Sequence, residues 1–325
     1  MRDHGGNLDC ARATYGGDGW IDLSTGINRV PYPIGDLAPG VWTALPTRSA
    51  TEALLAAART AYGTTAPIAV LSGAQGAIQM IPNLSRLNLS RPGLARVLGP
   101  TYNEHAASLR LSGWQVEEVP RLEALAGADL AVVVNPNNPD GKHYPAEALL
   151  NLLPLVGRLV VDESFADPVP QHSLSGMAGR PGLIVLRSFG KFYGLAGLRL
   201  GFALGPEEDI AHLTAMAGPW PVAGAALDIG TRALHDHNWA TATTARLQAE
   251  VPQIDRICES FGWQTLGGTP LFRLYDTPDA ATAQTRLARH RIWSRIFPYS
   301  PRWLRLGLPG TPGEWDRLAS AGQRQ

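Results

Sequence analysis

The sequence predicts an α/β fold in which helices flank a mainly parallel sheet, together with a smaller α+β domain. Short apolar runs rich in Val, Leu and Ile recur along the first two thirds of the chain, and several are almost continuously hydrophobic, as is typical of strands buried on both faces. Helical patterns separate several of them, and this alternation favours parallel pairing. The runs cover residues 68–73, 95–100, 114–120, 130–136, 157–164, 183–188 and 198–205, and the helical patterns cover residues 75–84, 103–112 and 145–156.

The chain changes character after about residue 221. Long stretches rich in Ala, Arg and Leu have helical patterning and then alternate with short apolar runs. This order predicts a small α+β domain made of residues 223–325 together with residues 1–40, which leaves residues 41–222 as the large domain. The helical patterns cover residues 223–235, 239–261 and 280–290, and the short runs cover residues 271–276, 292–297 and 303–310.

Composition excludes several classes of function. The 28 Lys and Arg residues balance 28 Asp and Glu residues, so there is no overall basic field for nucleic acid or an anionic membrane. Cys10 and Cys258 are too few for a disulfide framework, and no C-x-x-C motif suggests zinc. The His235-Asp236-His237 stretch lacks a third ligand, so we predict no metal. Without an apolar leader or a membrane-length apolar stretch, we expect a cytoplasmic protein.

The most informative segment is SFGKFYGLAGLRLG, residues 188–201. Lys191 follows a predicted strand inside a turn flanked by glycines, and lysine is rarely buried without a function. A desolvated lysine near other cations has a lowered pKa and can form a Schiff base. The Ser188 hydroxyl and the Arg199 guanidinium are groups that suit a phosphate.

Other chemically suggestive residues stand where the apolar runs end. In a parallel sheet such residues collect at the carboxyl ends of the strands. Residues 73–75 join a strand to a helix, where backbone N–H groups bind phosphate well. Asn138 lies in a turn set by Pro and Gly. Asp162 ends a buried run, so its carboxylate must be paired, and Tyr102 offers an aromatic ring at another strand end.

The SFGK and GLAGLRLG motifs together resemble the fold-type I, aspartate-aminotransferase-like family of pyridoxal-phosphate (PLP) enzymes. The resemblance implies that the large domain contains a mainly parallel sheet of the seven-stranded type. It also implies PLP as the cofactor, held covalently by Lys191. It further implies phosphate contacts from Ser188, Arg199, Gly73, Ala74 and Gln75, a donor to the cofactor phenolate at Asn138, a partner for the pyridinium nitrogen at Asp162, a stacking ring at Tyr102 and a ligand for the substrate carboxylate at Arg305.

Two positions depart from that family pattern. Phe165 stands where the family often has a tyrosine that donates to the phenolate oxygen, which leaves Asn138 as the main donor. Asp140 replaces the usual threonine of the N-P-N-N-P-T-G loop, and we expect little chemical consequence.

Further segments are similar to the threonine-phosphate decarboxylases of cobalamin biosynthesis. They are HGGN (4–7), DLSTGIN (22–28), PTYNEH (100–105) and residues 187–192. The similarity implies decarboxylation of L-threonine O-3-phosphate to (R)-1-aminopropan-2-yl phosphate by a homodimer. It places His4, Asn28 and Arg295 near the substrate phosphate. Leu45-Pro46 stands where histidinol-phosphate aminotransferases usually have Tyr-Pro, which favours the decarboxylase.

Two alternatives remain open at this point. An aminotransferase acting on a phosphorylated amino acid, such as histidinol phosphate, would use the same cofactor residues, and it would differ by requiring an oxo-acid acceptor. A non-catalytic sensor or scaffold would not need Lys191, Asp162, Asn138 and Arg199 together, and no helix-turn-helix pattern is appended.

Overall fold

The computed structural model describes residues 4–85 and 93–322. The chain forms two compact units. The large unit comprises residues 32–138 and 143–239, and the small unit comprises residues 139–142 together with the described parts of 1–31 and 240–325.

The helices are α1 (Leu8–Tyr15), α2 (Gly40–Thr43), α3 (Arg48–Ala61), α4 (Gly73–Leu84), α5 (Glu104–Leu111), α6 (Ala146–Leu150), α7 (Phe189–Phe192), α8 (Glu207–Ala217), α9 (Gly224–His235), α10 (His237–Ser260), α11 (Ala280–Arg289) and α12 (Pro312–Ser320). The strands are β1 (Ile21–Asp22), β2 (Ile68–Ser72), β3 (Leu94–Leu98), β4 (Gln115–Val119), β5 (Leu130–Val134), β6 (Leu159–Asp162), β7 (Leu183–Ser188), β8 (Leu200–Leu204), β9 (Gln264–Thr269), β10 (Phe272–Asp276), β11 (Ile292–Trp293), β12 (Arg295–Phe297) and β13 (Ser300–Gly307).

The large unit is built on a seven-stranded sheet with the order β2-β8-β7-β6-β5-β3-β4. The pairs β3–β4, β3–β5, β5–β6 and β6–β7 are parallel, whereas β8 runs antiparallel to both β7 and β2. Every residue of β5, β6 and β8 is buried, as expected for strands covered on both faces. The prediction of a mainly parallel sheet flanked by helices is therefore confirmed, and the parallel strands present their carboxyl ends at one edge.

The small unit contains an antiparallel sheet with the order β12-β13-β10-β9 and a short parallel pair, β1–β11. Helix α11 packs on β13 and β11. The apolar run at residues 292–297, which the pattern indicates as one strand, is split at the buried Ser294. Its first part pairs with β1 and its second part pairs with β13, so the run contributes to two sheets.

The predicted domains were residues 41–222 for the large one and residues 1–40 plus 223–325 for the small one. The compact units of the structure divide at different positions. Residues 32–40 and 223–239 pack within the large unit. The reason at the second boundary is that α9 packs along α3 and α2. Its buried face includes Leu227, Ile229 and Leu234, and Gly230 allows close approach to the Leu54 and Leu200 side chains.

Candidate active site

The large unit contains a cleft at the carboxyl edge of its parallel strands, with about 730 Å³ of space including open solvent. All nine residues predicted from the sequence to contact a cofactor line this cleft. They are Gly73, Ala74, Gln75, Tyr102, Asn138, Asp162, Ser188, Lys191 and Arg199. They come together because β2, β3, β5, β6 and β7 end at the same edge, as the topology requires.

One end of the cleft is suited to an anion. Helix α4 begins at Gly73, so its first N–H groups have no intrahelical acceptors and are accompanied by the positive end of the helix dipole. Gly73 has φ of 74°, and a Cβ there would lie 2.8 Å from Nη2 of Arg199. A Cβ on Gly201 would lie 2.4 Å from the Ala74 nitrogen. The two glycines therefore allow Arg199 and the start of α4 to approach closely, next to Ser188.

Asp162 lies at the end of β6 and is 2% exposed. His105 Nε2 lies 2.8 Å from Oδ2, while Oδ1 accepts from the Ser164 N–H at 3.0 Å and from the Ser164 hydroxyl at 2.5 Å. Burial raises the pKa of Asp162, but the hydrogen bond and charge of His105, together with the Ser164 bonds, outweigh burial and bring the pKa below its ordinary value. Asp162 is thus an anion suited to a cationic ring nitrogen.

Lys191 lies in the short helix α7 directly after β7. Its Nζ is 5.6 Å from the centre of the Phe165 ring. Phe165 is 4% exposed and lines the same cleft, so the residue found in place of the expected tyrosine borders the lysine with an apolar face. The chain has one other lysine, Lys142.

Two loops fix the side of the cleft that holds Tyr102 and Asn138. The Thr101 hydroxyl donates to Asn137 Oδ1 at 2.6 Å, and Asn137 Nδ2 donates to the Pro100 carbonyl at 3.1 Å. The Tyr102 hydroxyl donates to Gln75 Oε1 at 3.2 Å. These bonds join the loops after β3 and β5 and connect them to the start of α4.

In the small unit, Arg295 and Arg305 are direct cross-strand partners in the β12–β13 ladder. Arg305 is 5% exposed, and its Nη2 donates to the Ser24 carbonyl at 2.7 Å. Burial, followed by the charge of Arg295, lowers the pKa of Arg305 to about 10. Like charges placed opposite one another in a ladder are unfavourable. A bound anion would relieve the repulsion between these two arginines.

The structure places His4 and Asn28, the other two predicted substrate ligands, in the same unit. His4 precedes a segment in which the Gly6 N–H donates to the Ser24 hydroxyl at 2.7 Å. Asn28 is 4% exposed, and its Oδ1 accepts from Arg246 Nη2 at 2.7 Å and from the Val30 N–H at 3.1 Å. The His4 segment is therefore connected to Arg305 through Ser24, whereas Asn28 contacts Arg246.

Sequence reasoning did not assign roles to three residues that the structure places beside predicted ones. His105 and Ser164 bind the carboxylate of Asp162, and Arg246 binds the amide of Asn28. His105 lies within the PTYNEH motif, and Ser164 follows Asp162 by two residues at the end of the apolar run 157–164. Arg246 lies in the middle of α10, where no motif distinguishes it from other helix arginines.

A buried ion-pair network adjoins two of the cleft residues, Asp162 and Ser188, along the chain. Arg187, which precedes Ser188, donates to Glu163 Oε2 at 2.9 Å and to Asp167 Oδ1 at 2.7 Å. The Arg187 and Glu163 side chains are 3% and 0% exposed. Burial raises the pKa of Glu163 in spite of Arg187. The network joins the end of β7 to the loop that follows Asp162.

Within residues 4–85 and 93–322, no three or more His, Cys, Asp or Glu side chains are grouped so that they could hold a metal ion. No helix in these ranges is both long and apolar enough to cross a membrane.

Comparison with known proteins identifies the relatives of this chain. The family model described as aminotransferase class I and II matches residues 43–321. Threonine-phosphate decarboxylase of Pseudomonas aeruginosa is 40% identical over 99% of this chain and 97% of its own length. An enzyme of the same name from a Sinorhizobium species is 40% identical over 98% and 96% of the two chains.

A solved structure has the same fold as this chain. Histidinol-phosphate aminotransferase of Sinorhizobium meliloti, in complex with pyridoxal-5'-phosphate, superposes with a TM-score of 0.77 at 21% identity and covers 96% of this chain and 92% of that one. With the family model spanning most of the sequence, the chain belongs to the aminotransferase class I and II family.

Proposed function

We propose that the protein is a PLP-dependent threonine-phosphate decarboxylase, which converts L-threonine O-3-phosphate to (R)-1-aminopropan-2-yl phosphate and CO₂ in the formation of cobalamin. The observation that carries the proposal is the 40% identity to a threonine-phosphate decarboxylase over 99% of the chain.

The residues of the cleft fit PLP. Arg199, Ser188 and the N–H groups at the start of α4 suit its phosphate, and Gly73 leaves the room that this arrangement needs. The ionised, buried Asp162 suits a protonated pyridine nitrogen. Asn138 and Tyr102 line the space between these two ends, where they would hold the phenolate oxygen and stack on the ring. Lys191 provides the amine that would bind covalently to the aldehyde carbon of PLP.

When bound, PLP supplies an electron sink for the bond that breaks at the substrate α-carbon. The protein's part is orientation. The guanidinium of Arg305 binds the substrate carboxylate as a two-pronged donor, while Arg295, His4 and Asn28 bind the phosphate. Fixing both ends of a small substrate selects which α-carbon bond is aligned for cleavage, and alignment of the bond to the carboxylate gives decarboxylation rather than transamination.

The remaining steps concern protons and charge. Asp162, held ionised by His105 and Ser164, keeps its cationic partner protonated. Lys191 holds a proton at Nζ that it can deliver to the α-carbon after CO₂ leaves, and a water could deliver that proton in its place. Phe165 bounds the space beside Lys191, with its ring centre 5.6 Å from Nζ.

We also propose a cytoplasmic homodimer. Cys10 and Cys258 are both free thiols, which suits a reducing compartment. Dimerisation is proposed from the family resemblance alone, and light scattering during gel filtration measures it directly.

The cofactor lysine is tested by borohydride reduction followed by peptide mapping. We expect the label on the peptide that contains Lys191. Labelling of Lys142 would contradict the assignment.

Turnover of L-threonine O-3-phosphate should be equal with and without 2-oxoglutarate, whereas a requirement for the oxo acid would identify an aminotransferase.

A further inference from the structure

Ser24 joins two parts of the small unit that are proposed to bind substrate. It is 1% exposed, and its N–H and hydroxyl donate to Asp22 Oδ1 at 2.9 and 2.6 Å. Its hydroxyl oxygen accepts from the Gly6 N–H at 2.7 Å, and its carbonyl oxygen accepts from Arg305 Nη2 at 2.7 Å. One residue thus contacts both the N-terminal segment and the buried arginine.

The N-terminal segment packs directly on the Ser24 peptide group. A Cβ on Gly5 would lie 2.4 Å from the Ser24 carbonyl oxygen, the same oxygen that accepts from Arg305. Gly6 has φ of 86°, a conformation that favours glycine. The two glycines after His4 are therefore explained by the approach of this segment to Ser24.

The backbone around Ser24 is anchored on both sides. The Gly307 N–H donates to the Leu23 carbonyl at 2.7 Å, and the Leu23 N–H donates to the Trp293 carbonyl at 2.8 Å. Gly307 ends β13, the strand that contains Arg305. The hydroxyl that binds the N-terminal segment is thus fixed to the same strand as the arginine.

We propose that Ser24 is a positioning residue that sets the spacing between His4 and Arg305, and so between the groups that bind the substrate's phosphate and carboxylate. The inference rests on the roles proposed above for these two residues. The two contacts of Ser24 are separable, because the Ser24→Ala substitution removes the hydroxyl that binds Gly6 and keeps the carbonyl that binds Arg305.

The first measurement is amide hydrogen exchange in the N-terminal segment of the holoenzyme. Ser24→Ala should speed exchange at Gly6, because that N–H loses its acceptor, and phosphothreonine should slow exchange there in the wild type more than in the variant. Unchanged exchange at Gly6 in Ser24→Ala would overturn the proposal without reference to catalysis.

The second measurement is a double-mutant cycle on kcat/KM for phosphothreonine. Ser24→Ala should lower kcat/KM by about 2- to 10-fold, the range of a single neutral hydrogen bond, mainly through KM. Since Ser24 acts through His4, the His4→Ala effect should be smaller in the Ser24→Ala background than in the wild type. Independent, multiplying effects would overturn the positioning role.

A steric variant provides a separate test. Gly5→Ala forces the segment away from the Ser24 carbonyl and should also raise KM, whereas Gly313→Ala, at a site in α12 of the same unit with no atom within 4 Å of the added carbon, should not. If the wild type neither binds nor decarboxylates phosphothreonine, the proposed function fails. If His4→Ala impairs the enzyme but neither Ser24→Ala nor Gly5→Ala does, only the positioning role fails.

Discussion

His105 Nε2 lies 2.8 Å from Oδ2 of Asp162, and each side chain is 3% exposed. The contact opposes the effect of burial, which by itself would favour a protonated carboxyl group. Helix α5 thereby determines the charge of a residue on β6, and this charge is the feature of the cleft that best suits a protonated ring nitrogen.

Replacement of His105 should therefore change the pH dependence of the enzyme. Because its pKa is lowered in the folded protein, Asp162 stabilises the folded state. This stabilisation is complete above the pKa that the carboxyl group has in the unfolded chain, and it is lost as the pH falls through the pKa of the folded state. In His105→Phe burial dominates and the Asp162 pKa rises, so the acid limb of the kcat/KM profile should move to higher pH. His105→Gln, which keeps a side-chain N–H donor, should restore part of the difference. Identical acid limbs in all three proteins would contradict this role.

Cofactor affinity should depend on the absence of a side chain at residue 73. Gly73→Ala introduces a Cβ next to Arg199 at a positive φ, and a strain of about 1–3 kcal/mol corresponds to roughly 5- to 150-fold weaker PLP binding. Gly76→Ala in the same helix is the matched control, because its Cβ would make an ordinary 3.6 Å contact with Leu71. Equilibrium dialysis with PLP measures both. Equal affinity in the two variants would rule out the proposed anion site at the start of α4.

The buried network of Arg187, Glu163 and Asp167 should matter for stability. Arg187→Met leaves Glu163 and Asp167 buried without their cation, and the loss of one partner in such a pair costs about 3–5 kcal/mol. Arg48→Met, which breaks an exposed pair with Glu52, should change the free energy of unfolding by about 0–1 kcal/mol. Urea denaturation measures the difference, and a similar small loss in both variants would show that the network is not a stabilising element.

Substrate choice should depend on Arg295. A charge-assisted hydrogen bond contributes roughly 1.5–3 kcal/mol, so Arg295→Ala should lower kcat/KM for phosphothreonine by about 10- to 150-fold and leave PLP binding intact. Wild type should hardly use plain threonine. Arg302→Ala, which removes an exposed arginine of β13 that pairs with Asp276 of β10, is the control. An Arg295→Ala enzyme with normal phosphothreonine kinetics would remove Arg295 from the phosphate site.

The sheet could be predicted well from the sequence because buried strands appear there as short apolar runs. All seven apolar runs of the large unit became strands, and residues at their ends met in one cleft because parallel strands share an edge. The direction of β8 was not predictable, since antiparallel and parallel buried strands have the same apolar pattern. The break of the run at Ser294 could not be predicted either, because it depends on which strands pair with each half of the run.

The connections among site residues were less accessible to sequence reasoning. The His105–Asp162 pair joins positions 57 residues apart, and the Asn28–Arg246 pair joins positions 218 apart. No local pattern encodes such contacts, because they depend on how helices α5 and α10 are rotated about their axes. Lys191 was identifiable since its surroundings, a strand end and a glycine-flanked turn, are contiguous in the sequence.

The release of CO₂ from carboxyl-labelled L-threonine O-3-phosphate, with purified PLP-loaded enzyme and no oxo acid, tests the account most directly. Decarboxylation predicts one labelled CO₂ for each substrate consumed, with (R)-1-aminopropan-2-yl phosphate as the amine product, and no release by Lys191→Ala. Retention of the label in an oxo acid, or turnover only after an oxo-acid acceptor is added, would contradict the account and identify the enzyme as an aminotransferase.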